Sequence, residues 1–306
     1  MPPAVRFSEY GTGEVLHIVD VPALDAGQGQ VRIEVRAAAV NPIDWKIMQG
    51  LMSAVLPLEL PAGLGSDVAG VVDQVGAGVV DFKVGDEVLG ASAGPAYAQF
   101  AVADPASLVI KPITLPWEVA GSLAGAGGTA WAVLDRVGLA DGETLLIHAA
   151  AGGVGTFAAQ LALARGARVI GTANERNHEF LRGLGVIPVA YGDELGDRVR
   201  AVAPLGVDAV LDASGRGEIP LSIELAGGPE RVLTLVAFDA AELGVQVHTD
   251  GGGPHLDRAL RGIVALIEEG RLQVPISRTY PLSDAAAALE LSSTGHVRGK
   301  IVLLPN

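Results

Sequence analysis

The segment HAAAGGVG (His148–Gly155) concentrates small residues where chemistry with an anion is easiest. It follows ETLLIH (Glu143–His148), an apolar run of strand length, and precedes a helical pattern over Gly153–Arg165. Its core reads Ala150-x-Gly152-x-x-Gly155, the dinucleotide fingerprint with alanine at the first glycine position. A bare Gly152 lets backbone approach a pyrophosphate, and a bare Gly155 lets the helix pack on the strand. Unpaired N–H groups at the helix start then hold the anion. A second strand, ARVIGTA (Ala167–Ala173), lies about 20 residues on, the context that turns a glycine-rich turn into a dinucleotide site.

The tip of that second strand selects the cofactor. A carboxylate there would bond a free ribose 2′-hydroxyl and repel a 2′-phosphate. This chain has Gly171, Thr172, Ala173 and Asn174, then Glu175 and Arg176. Asn174 and Arg176 are donors suited to a phosphate, so NADPH is the expected cofactor. The competing reading makes Arg176 a solvated residue of a first helical turn, with Glu175 pairing with it or reaching a ribose.

Composition removes other chemistries. With no cysteine there is no disulfide and no thiolate-ligated zinc. The six histidines show no paired spacing, so no metal is expected. A net charge of −14 argues against nucleic acid. No apolar run is long enough for a bilayer and no basic-then-apolar leader opens the chain, so a cytoplasmic protein that engages no membrane is expected.

These residues need elements to position them. Length 306 and 41 glycines suggest two domains with many tight turns. VRIEVRAAAV (Val31–Val40) alternates as a half-buried strand should, and further β-branched runs, Asp67–Gly76, Val84–Gly90 and Ala96–Ala103, predict a mostly antiparallel barrel before Leu115. After it, strands alternate with helix-length segments. Helices are expected over Gly128–Gly138, Gly153–Arg165 and Arg176–Leu184. Strands are expected at VIPVAY, VDAVLDA, RVLTLVAF and VQVH, the pattern of a doubly wound parallel sheet. An amphipathic helix over His255–Gly270, a helix capped by Ser283 or Asp284 and a strand at KIVLLP close the chain, and resemble the first third more than the middle. The fold class is therefore α/β: a barrel domain from residues 1–118 and 263–306 with a Rossmann domain, 119–262, inserted.

Several segments in order carry a family resemblance: NPIDWKIMQG (Asn41–Gly50), GSDVAGVVDQVGAGVVDFKVGDEVLG (Gly65–Gly90), GGTAWAVL (Gly127–Leu134), AAAGGVG and GHVRGKIVLL (Gly295–Leu304). Together they resemble the quinone oxidoreductase (zeta-crystallin-like) branch of the medium-chain dehydrogenases/reductases. The resemblance implies a GroES-like catalytic domain and a Rossmann NADP-binding domain, in a homodimer formed through the sheet edge near Val245–His248. Where zinc-dependent relatives carry Gly-His-Glu, this chain has Gly65-Ser66-Asp67. Implied cofactor contacts are Ala150, Gly152, Gly153, Val154 and Gly155 at the pyrophosphate, with Ala173, Asn174, Arg176 and Tyr191 near the 2′-phosphate. Thr129, Ala213, Ser214, Val236, Ala237 and Phe238 are implied on the nicotinamide side, with Lys300 from the terminal Gly-Lys motif. Asn41, Asp44 and Lys46 match the substrate-side segment. Metal-free hydride transfer to a quinone or to the C=C bond of an enone follows, with Asn41 and Lys46 as donors to the developing oxyanion. Asp44 and Lys46 could instead form an ion pair holding the loop. An enoyl reductase of a biosynthetic pathway and a non-catalytic NADPH-binding or redox-sensing protein are open alternatives.

Overall fold

The computed structural model describes residues 1–22 and 24–305. The chain forms two compact units, the first from Met1–Ala126, Pro254–Val264 and Val274–Asn306, the second from Gly127–Gly253 and Ala265–Gln273.

In chain order, unit 1 contributes β1 (Pro3–Arg6), β2 (His17–Asp20), β3 (Val31–Val40), α1 (Pro42–Met48), β4 (Asp67–Val75), β5 (Glu87–Ala91), β6 (Phe100–Ala103), β7 (Leu108–Ile110) and α2 (Trp117–Ala120). Unit 2 follows with β8 (Thr144–His148), α4 (Gly153–Ala164), β9 (Arg168–Ala173), α5 (His178–Gly183), β10 (Ile187–Ala190), α6 (Leu195–Val202), β11 (Ala209–Asp212), α7 (Ile219–Ala226), β12 (Val232–Thr234) and β13 (Gln246–Val247). Two of the four divisions between units fall inside α3 (Ala124–Arg136) and α8 (Leu256–Glu268); β14 (Ile276–Pro281), α9 (Ala285–Ser293) and β15 (Lys300–Leu304) return to unit 1.

Unit 1 is built on a seven-stranded sheet ordered β14-β15-β3-β4-β5-β7, with β6 also pairing β3. All pairings are antiparallel except β14 with β15. The long strand β3 explains why a strict alternation could be read only at its start. From Val31 to Arg36 alternate residues are buried, and from Ala37 to Val40 every residue is. There β15 pairs along it, and Gly121 after α2 comes so close that a Cβ would lie 2.7 Å from the Ala37 Cβ. Inward-facing Ile33, Val35, Val68, Val72, Val88, Tyr97, Leu108 and Leu303 form its core.

Unit 2 is a six-stranded parallel sheet ordered β10-β9-β8-β11-β12-β13, the doubly wound order expected from alternating strands and helices. Its central strands β8, β9 and β11 are buried almost throughout, because in such a sheet helices cover both faces. One expected strand is shorter than its sequence pattern. RVLTLVAF stops at Thr234, whose hydroxyl accepts the main-chain N–H of Val236 (3.2 Å) and Ala237 (3.0 Å) and turns the backbone away from the sheet. Phe238 then opens a 3-10 turn and is half exposed.

Candidate active site and dinucleotide loop

In unit 2 the fingerprint lies where β8 gives way to α4. Ala149 has φ +60°, a left-handed conformation unusual for alanine, and Ala150 donates its N–H to Thr172 O of β9 at 3.0 Å. Gly152 is the N-cap of α4, so Gly153, Val154 and Gly155 form its first turn, where main-chain N–H groups have no acceptor within the helix. No side chain caps this end. The glycines are required by space as well: a Cβ on Gly155 would lie 2.4 Å from Ala149 O and 2.7 Å from Ala150 Cα. On β9, a Cβ on Gly171 would lie 2.6 Å from that of Ala150. Loop, helix and neighbouring strand are thus packed backbone to backbone.

A buried hydrogen-bond chain fixes the turn from below. Thr172 Oγ1 accepts the Ala149 N–H (3.2 Å) and meets His148 Nδ1 (3.3 Å), while His148 Nε2 meets Ser222 Oγ (3.0 Å). Ser222 donates to Glu218 O at 2.8 Å, so it accepts from His148, whose proton sits on Nε2. Burial holds the ring below its ordinary pKa and so neutral, as this chain of donors requires.

The other cofactor-side residues lie on the loops after the strands. Ala173 ends β9 and is buried; exposed Asn174 and Arg176 follow, and Asn174 Oδ1 accepts the Arg176 N–H at 3.1 Å. Tyr191 follows β10, and its ring carries the Arg216 guanidinium 5.0 Å from the centre. Ala213 and Ser214 follow β11; the Ser214 hydroxyl lies between Asp212 (3.0 Å) and Glu218 (2.7 Å). Buried Asp212 also takes the N–H groups of Ser214 and Gly215 and the Thr234 hydroxyl, fixing the ends of β11 and β12 together. Thr129 is a half-buried residue inside α3. Val236 and Ala237 lie in the turn beyond β12.

In unit 1 Asn41 and Asp44, two of the residues expected on the substrate side, belong to a buried polar cluster. Asn41 caps α1, and Asp44, the third residue of that helix, accepts its N–H at 2.7 Å. Tyr97 donates to the same carboxylate at 2.7 Å. The Asn41 amide is held at both ends: Nδ2 donates to Asp67 Oδ2 at 3.2 Å, and Oδ1 accepts from the Lys300 ammonium. Asp67 also takes the Gly125 N–H at 2.7 Å and lies 3.8 Å from Lys300 Nζ.

Every titratable member of this cluster is shifted by loss of solvent. Burial, opposed by the bonds from Asn41 and Tyr97, pushes Asp44 up to about 6. It raises Asp67 and Tyr97 and lowers Lys300, whose charge is partly restored by Asp67.

The alternative ion pair between Asp44 and Lys46 is not formed. Asp44 points into the core, where its acceptors are satisfied by Asn41 and Tyr97, while Lys46 lies near the Trp45 ring, 5.7 Å from its centre. Lys300 lies with Asn41 and Asp67 rather than as a free cation. Tyr97 and the role of Asp67 were not read from sequence. A carboxylate opening the apolar run 68–72 of β4 was a signal for Asp67; for Tyr97 and Arg216 there was none.

Residues 27–111 match the family described as alcohol dehydrogenase GroES-like domain, and residues 184–303 the one described as zinc-binding dehydrogenase. The chain is 33% identical to a chloroplast envelope quinone oxidoreductase homolog of Arabidopsis thaliana, over 99% of this chain and 98% of that protein. It belongs to the quinone oxidoreductase branch of the medium-chain dehydrogenases/reductases. The chain is also 31% identical to 2-methylene-furan-3-one reductase of Solanum lycopersicum, over 99% of this chain and 79% of that protein. The structure of Escherichia coli quinone oxidoreductase complexed with NADPH superimposes with a TM-score of 0.89 at 27% identity, covering 99% of this chain and all of that one. Zinc, named in one family description, does not fit the residues of this member: there is no cysteine, and Asp67 is already committed to Asn41, Gly125 and Lys300.

Proposed function

We propose that this protein is a reductase that uses NADPH, without a metal, to reduce a quinone or the C=C bond of an enone. The observation that carries this reading is the loop after β8: three first-turn amides without a side-chain cap, in a turn where Gly155 has no room for a Cβ. The names of the relatives, quinone oxidoreductases and a 2-methylene-furan-3-one reductase, support the two acceptor classes. The NADPH in the E. coli complex supports the cofactor. In this reading residues 1–118 and 263–306 serve the substrate and residues 119–262 the cofactor.

The residues fit the cofactor at both phosphate positions. Ala150 and Gly152–Gly155 hold the pyrophosphate; Asn174, Arg176 and Tyr191, beside Ala173, receive the adenosine 2′-phosphate. Thr129, Ala213, Ser214, Val236, Ala237 and Phe238 serve the nicotinamide side. When bound, NADPH supplies a hydride, and negative charge develops on the acceptor's oxygen. Asn41 offers its second Nδ2–H to that oxygen. Its first Nδ2–H is held by Asp67 and its carbonyl by Lys300, so the amide is prevented from flipping. Lys46, half-buried in the last turn of α1 while Asn41 caps its first, supplies positive charge from the other end of this short helix. Asp44 and Lys300 are positioning residues. A homodimer through β13, the outermost strand of the parallel sheet, and a cytoplasmic location belong to the same proposal.

The test is turnover in N41A and K46A at matched cofactor occupancy. Loss of one oxyanion donor is expected to lower kcat about 100-fold, with NADPH affinity unchanged. Full turnover in both variants would remove these residues from the mechanism.

A further inference from the structure

Three loops of unit 2 leave the carboxyl ends of strands in one half of the parallel sheet: Asn174 and Arg176 after β9, Tyr191 after β10 and Arg216 after β11, with β8 between β9 and β11. The last of these is unforeseeable from sequence, since Arg216 lies in a glycine-flanked loop with no motif of its own. Gly215 (φ +65°) and Gly217 (φ +87°) bracket it in left-handed conformations, and these reverse the chain on either side of it. Its main-chain N–H is held by Glu218 at 3.0 Å, leaving the guanidinium to lie on the Tyr191 ring.

Among the described residues, some arginines of this chain are ion-paired and others are not. Arg32, Arg165, Arg200, Arg231 and Arg271 each have a carboxylate within 4 Å. Among the described residues no ion pair forms to Arg176 or Arg216, although the chain carries a net charge of −14. Both cations act on one phenol. Tyr191 is held below its ordinary pKa by hydrogen bonding from Asn174 and Arg216, and further by the charges of Arg216 and Arg176. Two guanidinium groups that both act on one phenol repel each other, and a bound anion relieves that repulsion.

We propose that Arg216 is the second cation of a two-arginine clamp, formed with Arg176 across Tyr191, that recognises the 2′-phosphate of an adenosine nucleotide. This rests on the NADPH reading and adds a specificity residue to it. Arginine suits the position because its planar fork can stack on the phenol ring and still present two N–H groups to phosphate oxygens.

Calorimetric titration with adenosine 2′,5′-bisphosphate and with adenosine 5′-monophosphate tests the clamp in wild type, R176A and R216A. Because Arg216 is exposed, its removal leaves the core intact. The wild type is expected to prefer the bisphosphate, and R216A to lose about tenfold or more of that preference with the monophosphate bound as before. If R216A keeps the wild-type ratio while R176A loses it, Arg216 is not part of the phosphate site. Equal weakening of both probes in R216A would place Arg216 on the adenine and overturn the clamp as well. If the wild type itself shows no preference, the NADPH reading fails, and the clamp with it.

Discussion

Asp44 illustrates how one carboxylate can serve a site without touching a substrate. Only 3% exposed, it accepts both the Asn41 N–H that caps α1 and the Tyr97 hydroxyl on one oxygen, Oδ2, and so sets the direction in which Asn41 leaves the strand. The cost is electrostatic. Its pKa is raised from 3.8 to about 6, so between those values the folded chain binds a proton that the unfolded chain releases. The stability contribution is therefore present below about 4 and is lost as pH rises through 6. D44N, neutral and still an acceptor, lacks this dependence. Thermal melts are expected to show wild type losing ground to D44N between pH 4 and 6, and parallel curves there would contradict the buried, poorly solvated carboxylate. Asn41, Asp44 and Lys46 were legible as a segment. The partnership with Asp67, Tyr97 and Lys300 was not, because it is assembled from residues up to 259 positions apart in the chain.

At the scale of elements, the strand–turn–helix β8–α4 was legible in full. Its apolar run, small-residue turn and helical continuation each obey local rules that agree with one another. G155A should therefore do more than lower helix quality. Its new methyl meets the Ala149 carbonyl and the Ala150 backbone, which cannot swing aside as a side chain would. The expected result is loss of NADPH binding by calorimetry together with a destabilisation of about 1–3 kcal/mol by urea unfolding. An unchanged affinity would mean that the loop is not the pyrophosphate site. Elements shaped by tertiary bonds were harder to read. β12 is only three residues long because Thr234 turns the chain, and α5 starts only at His178 because Asn174 first closes a 3-10 turn onto Arg176.

Across the whole molecule, composition carried more weight than any single position. The absence of cysteine excluded disulfides and thiolate-ligated zinc, and the change in texture near Leu115, from punctuated strands to strand–helix alternation, separated a barrel from a doubly wound sheet. Net charge has a consequence of the same scale. A chain at −14 repels NADPH at long range, so in the proposed reading binding depends on the local amides of α4 and on cations such as Arg176. The substrate is the least legible part, since quinones and enones demand the same few donors around an acceptor oxygen. The account nevertheless makes one claim that does not depend on which acceptor is natural: hydride reaches it with no metal present. The direct measurement is NADPH consumption by the purified protein with 1,4-benzoquinone and with a simple enone, in the presence of a strong zinc chelator. Turnover undiminished by the chelator, faster with NADPH than with NADH, is the predicted result; activity that the chelator abolishes and zinc restores would contradict it.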